Sequence, residues 1–188
     1  ITITAAALYP WCKIPYDQLE NNPARKVPFR LVKDSQEMGM LMARELAYEI
    51  KANNAKGEKT RAIIPCGPVC WYKHFTDLIN GEQISLKNLV VFHMDECLDW
   101  QGQELPKKHP YNFRGFMEKH FYNPVVSELS VPPESRNWLN ANNIQEIKKY
   151  IEQAPVDITY GGWGQDGHIA YNHDHNNCCS CNGLVYLL

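Results

Sequence analysis

Leu89-Val90-Val91-Phe92-His93-Met94-Asp95-Glu96 is an apolar run that gives way to a pair of carboxylates. Four consecutive apolar residues with no polar alternation are what a parallel strand covered on both faces requires. Asp95 and Glu96 then fall at the strand's carboxyl end. There one of them could be partly desolvated and serve as a base, or the pair could be solvated, or could cap the next segment.

Similar strand and loop units lie on either side. Upstream, Ala62-Ile63-Ile64 reads as a short strand broken by Pro65-Cys66-Gly67-Pro68, after which Trp71, Phe75, Leu78 and Ile79 share one helical face. Further upstream, Phe29 to Val32 is a possible first strand. Asp34 and Glu37 have capping-box spacing ahead of Met38, Leu41, Met42, Leu46 and Ile50, which recur at helical intervals. Downstream, a polar loop from Asp99 to Pro110 leads to a helix marked by Phe113, Phe116, Met117 and Phe121. A further helix is marked by Ile144, Ile147 and Ile151, before the strand Val156 to Tyr160 and the turn Gly161-Gly162-Trp163-Gly164. This alternation predicts a doubly wound, mostly parallel α/β sheet with helices on both faces. Ligands in such sheets bind beyond the carboxyl ends of the strands.

Composition agrees. With 188 residues, 44% hydrophobic and 21% charged, the chain is expected to form one globular core. Residues 1–28, with Pro10, Pro15, Pro23 and Pro28, read as an irregular arm; residues 29–175 read as a single α/β domain and 176–188 as an atypical tail. A net charge of −2 and a pI of 6.4 offer no basic field for nucleic acid. No apolar run approaches the roughly 20 residues of a membrane span. The start lacks the charged region of a signal peptide, and seven cysteines without framework spacing suit a reducing compartment, so a cytoplasmic location is expected.

Three loops could carry chemistry. Gly67, between a strand and a helix, lets backbone amides approach an anion, though most Gly-Pro loops are only turns. Asp95 and Glu96 form the second. In the third, Gly164-Gln165-Asp166-Gly167-His168 sets a carboxylate two residues from an imidazole, which could orient the ring, or Asp166 could merely brace a tight turn. His168, His173, His175, Cys178, Cys179 and Cys181 crowd the tail, but their spacing matches no common zinc pattern.

Taken in order, Ile64-Pro65-Cys66-Gly67-Pro68, Phe92-His93-Met94-Asp95-Glu96, His109-Pro110 with Phe113 and Phe116-Met117, and Gly161 through Asn172 resemble the glucosamine-6-phosphate deaminase (isomerase) family. The similarity runs from about Phe29 to Asn172. It implies a Rossmann-like fold of the sugar-phosphate isomerase type. It also implies an enzyme of amino-sugar and carbohydrate metabolism, an isomerase and hydrolase that converts glucosamine 6-phosphate to fructose 6-phosphate and ammonia without a metal or organic cofactor. By motif match Asp95 is the base between C1 and C2, Glu96 supports the site, and His168 with Asp166 opens the ring. Cys66, Gly67, Pro68 and Val69 hold the phosphate. Gly162, Gly164, Ala170 and His173 are further substrate-binding positions, and the resemblance leaves a homo-oligomer open.

The sequence departs from that family in three places. The usual Thr-Gly-Gly-Thr-Pro loop is shortened to Cys66-Gly67-Pro68-Val69. Tyr171-Asn172-His173-Asp174 replaces Phe-Asn-Glu-Pro, so the carboxylate relay to His168 is rewired through Asp174 or broken. The chain also stops before the family's later strands, which predicts weak activity or completion by another chain. The competing expectations are a 6-phosphogluconolactonase-like hydrolase, which shares the Gly-x-Asp-Gly-His turn, and a non-catalytic sugar-phosphate-binding protein.

Overall fold

A computed structural model describes residues 4–162. The chain divides into two compact units, Ile1–Ser35 and Gln36–Leu188. In the first, the expectation of an irregular arm fails at its start, because Ala5–Cys12 is a helix, α1. Thr4 caps it, its hydroxyl accepting from the Ala7 amide, and three alanines carry the first turn before Pro10 is reached. The proposed strand at 29–32 is absent. Arg25 Nη1 donates to the Phe29 carbonyl at 3.1 Å, occupying an acceptor that a ladder would use.

In the second unit the elements follow as α2 (Ser35–Lys56), β1 (Thr60–Ile64), α3 (Tyr72–Glu82), β2 (Leu89–His93), α4 (Phe113–Met117), β3 (Arg136–Asn137), α5 (Ile144–Glu152) and β4 (Ile158–Thr159). Helix α4 runs straight into a π-helical turn, Glu118–Tyr122. All three strand pairings are parallel, in the order β3-β2-β1-β4. The chain winds outward from β1 to β3 and then returns to the other side of β1. The winding direction therefore reverses between β1 and β4, at the crevice where doubly wound sheets bind ligands.

Side-chain alternation distributes the two faces. Ala62, Ile64, Leu89 and Val91 pack under α2, α3 and the π turn, around Trp71, Phe75 and Phe121. Ile63, Val90, Phe92 and Met94 pack with Ile147 of α5 and with Leu139 from the turn after β3. The first layer is dense with aromatics: Phe75 and Phe121 stack at 5.2 Å, and Trp71 meets both edge-on. On α2 the buried stripe is Gly39, Ala43, Leu46, Ala47 and Ile50, turned slightly from the predicted one so that Met38, Leu41 and Met42 flank it. Small residues lead because a Cβ on Gly39 would collide with the Cys70 carbonyl, so α2 rests directly on the backbone that follows β1.

Arg61 fixes the return of the chain. Its amide donates to Asp157 Oδ2 at 2.7 Å, and its guanidinium donates to the carbonyls of Tyr150 and Ile151 at the end of α5. The same guanidinium lies over the Phe92 and Tyr150 rings. These bonds seat β4 beside β1, and the Tyr160 amide donates to the Ile63 carbonyl at 3.0 Å. Gly161 and Gly162 therefore leave the sheet next to β1, which ends at Ile64.

Candidate active site

Two strand ends meet at Asp95. Strand β1 stops at Ile64 because Pro65 cannot donate to the ladder, and β2 runs one bond further, the Met94 amide donating to the Ile64 carbonyl at 3.0 Å. That last bond holds the two loops side by side. The Cys66 amide then donates to Asp95 Oδ1 at 3.2 Å. Burial pushes the Asp95 carboxyl above the ordinary carboxylate range, and the Cys66 amide partly offsets it. The outcome is a half-buried carboxylate whose ionised form is more basic than usual and is oriented by one amide.

Beyond Asp95 lies a small, half-open hollow with about 20 Å³ of water-accessible volume, lined by Leu98, Leu139, Asn140, Ala141 and Ile144 together with Asp95 and Glu96. Sequence reasoning missed these walls, apart from Ile144 as a helix marker. Leu98 comes from the segment after β2, and Leu139, Asn140 and Ala141 come from the turn after β3, a strand too short and too polar to be seen in the sequence.

Glu96 faces the same hollow but is otherwise engaged. Its Oε1 accepts from the amides of Phe113 at 2.7 Å and Cys97 at 3.0 Å, and its Oε2 accepts from Arg114 at 2.8 Å. Phe113 and Arg114 open α4, whose first turn has amides without intrahelical partners. Asn112 caps the same turn through its side chain, which accepts from Gly115. Of the readings open for Glu96, the cap of the next segment is the one these bonds describe. Burial raises its carboxyl, and the three amides partly counter the effect.

The phosphate-loop residues Cys66, Gly67, Pro68 and Val69 follow β1 directly. Gly67 adopts φ +135°, a conformation that side-chain-bearing residues rarely take, with open space where a Cβ would stand. Burial, then Asp95 and Glu96, push the Cys66 thiol up to about 12, so it is a neutral wall rather than a nucleophile. Val69 is exposed at the start of the 3₁₀ turn that leads into α3.

His93, within the same motif, is sealed in. It is 2% exposed, stacks face to face on Trp138 at 3.6 Å, and its Nε2 lies 2.9 Å from Tyr122 Oη. Burial, then Arg136 and Arg114, lower it to about 3, so the ring is neutral and ties β2 to β3. Gly162 closes the described residues, three residues past the end of β4. Gly164, Asp166, His168, Ala170 and His173 lie outside them. Among the described residues no group of three His, Cys, Asp or Glu side chains could hold a metal ion, and no helix is long and apolar enough to cross a membrane.

The chain is 34% identical over 157 residues to a glucosamine-6-phosphate deaminase of Bacteroides fragilis, covering 78% of this chain and 55% of that protein. It is 31% identical over 159 residues to the same enzyme from Yersinia enterocolitica, covering 79% and 56%. This chain is a relative of the glucosamine-6-phosphate deaminases. Among solved structures, a monomeric glucosamine-6-phosphate deaminase of the NagB superfamily superposes with a TM-score of 0.61 at 19% identity, over 74% of this chain and 56% of that one, which shows the shared fold. No protein-family model matches the chain. The chain spans about half the length of the curated relatives it matches.

Proposed function

We propose that the site serves aldose-ketose isomerisation and deamination of an amino-sugar phosphate, with glucosamine 6-phosphate going to fructose 6-phosphate and ammonia. The observation that carries this reading is Asp95: a carboxylate made more basic by burial, held by one amide of the loop after β1, at the rim of a hollow between the end of β2 and the turn after β3. A base of this kind can take the C2 proton of an open-chain 2-amino aldose and return it to C1. The resulting C2 imine adds water and loses ammonia.

In this reading the backbone from Cys66 to Val69 receives the phosphate, and Gly162 and Gly164 border the sugar. Asp166 with His168 opens the ring, and Ala170 and His173 touch the substrate. The relatives support the substrate class, and a cytoplasmic setting and a homo-oligomer belong to the same proposal.

The test is exchange of the substrate's C2 hydrogen with solvent, followed by proton NMR in deuterium oxide, alongside ammonia release from glucosamine 6-phosphate. Exchange and ammonia are both expected. Neither, with hydrolysis of 6-phosphogluconolactone instead, would shift the assignment to the lactonase reading. Sugar-phosphate binding with no turnover of either compound would make the protein a binding module.

A further inference from the structure

We propose that Tyr72, in the first turn of α3, is a positioning residue that holds the catalytic base through the loop after β1, an inference that rests on the proposed role of Asp95. The geometry is a short chain of contacts. Tyr72 Oη donates to the Pro65 carbonyl at 3.1 Å, and the amide of that same peptide, the Cys66 N–H, donates to Asp95 Oδ1 at 3.2 Å. Pro65 itself has no amide to anchor it, so the phenol's grip on its carbonyl sets where the Cys66 N–H points.

Tyr72 is suited to this. It is 3% exposed and wedged edge-on against Trp71 and Phe121, so its ring moves only if the aromatic layer moves. Sheet pairing holds the loop on one side, through the Met94 amide on the Ile64 carbonyl, and the helix holds it on the other. Between those two fixed points, the phenol-to-carbonyl bond orients the peptide that contacts the base. Without it the Pro65–Cys66 peptide can rotate, and the amide no longer faces Asp95 squarely.

The titratable groups around Asp95 leave a clean signal. Cys66 and Tyr72 are held protonated, because burial raises both. Burial raises the Glu96 carboxyl as well, but it belongs to a different residue type and can be left unlabelled. The Cys66 amide favours the ionised form of Asp95, so weakening that bond raises the pH at which Asp95 loses its proton.

The experiment compares wild type with Tyr72→Phe in protein carrying ¹³C only at aspartate carboxyls, with the Asp95 signal assigned by its loss in Asp95→Asn. In Tyr72→Phe, Asp95 is expected to titrate at higher pH, and the acid limb of kcat for glucosamine 6-phosphate is expected to move the same way. We expect kcat to fall about ten- to a hundredfold, the scale for a displaced catalytic group, and by more than KM rises. A variant that melts earlier but keeps the wild-type Asp95 titration and acid limb would overturn the proposal and leave Tyr72 as a packing residue. Should wild type neither exchange C2 hydrogen nor release ammonia, the functional reading fails by itself, and the Asp95 titration still decides whether Tyr72 holds that carboxylate.

Discussion

Asp95 and Glu96 are adjacent in the chain, half-buried at the end of the same strand, and burial raises both carboxyls. Their partners differ. Glu96 gives both oxygens to backbone amides, two of them at the start of α4, whereas Asp95 accepts one amide from a neighbouring loop and lines the hollow. A carboxylate that accepts three amides through both its oxygens is a structural clamp, because moving it strands helix amides. One with a single orienting bond can still meet a substrate carbon. The number and source of amide donors, rather than burial, separates the proposed base from the brace.

The comparison breaks most visibly at Asp95. Asp95→Asn keeps an acceptor for the Cys66 amide and removes the basic oxygen, so kcat should drop by about 10²–10⁴ while binding of the sugar phosphate is largely kept. Steady-state kinetics with a competitive sugar-phosphate inhibitor checks both halves. Equal loss of turnover and binding would remove Asp95 from the role of base. In wild type the raised Asp95 carboxyl must be ionised to act, so activity should fall as pH drops through a value above the ordinary carboxylate range.

Glu96 should respond in the opposite currency. Glu96→Ala leaves the amides of Phe113 and Arg114 without their acceptor, and about 1–3 kcal/mol of stability should be lost for each donor left buried and unpaired. Glu96→Gln keeps an oxygen for one of them and should cost less. Urea unfolding measures this, and proton transfer should survive in the glutamine variant. If Glu96→Gln abolished C2 exchange in a protein of unchanged stability, the division between the two carboxylates would be wrong.

How much of this was legible follows from how local each signal is. The β2 run from Leu89 to Phe92 declares itself because four apolar residues in succession fit a strand covered on both faces, and the carboxylates then fall at its rim by connectivity alone. Helix α5 was visible from Ile144, Ile147 and Ile151 through an equally local signal, apolar residues at helical spacing. Strand β3 was not, because Arg136-Asn137 has no apolar signature and becomes a strand only by pairing with Val91 and Phe92. With β3 went the hollow's far wall, Leu139 to Ile144, and the ring stack of His93 on Trp138. Helix α1 was missed because Pro10 was read as a breaker, although Thr4 and the alanines had already started the helix. Tyr72 was passed over because its function lies in a hydroxyl contact with a carbonyl seven residues back, which no periodicity reports.

His93 extends the comparison to a third ionisable group on the same strand end, with the opposite sign. Its imidazole titrates near 6.5 when unfolded and at about 3 when folded. Between those values the unfolded chain binds a proton that the folded one refuses, so this group removes stability as pH falls from 6.5 toward 3. Asp95 and Glu96, with raised folded values, add stability as pH falls through their range, so the two effects oppose one another in acid. By linkage the histidine's share at pH 5 is about 2 kcal/mol relative to neutral pH. His93→Phe keeps a ring on Trp138 and leaves Tyr122 Oη without its partner, a cost of about 1–3 kcal/mol that does not vary with pH. Urea midpoints for wild type and His93→Phe at pH 7.5 and pH 5 should therefore converge in acid, the variant being the weaker at neutral pH and gaining on wild type as His93 becomes a liability. Parallel pH profiles would mean that the imidazole takes up its proton within the folded state, and that the stack on Trp138 tolerates the charge.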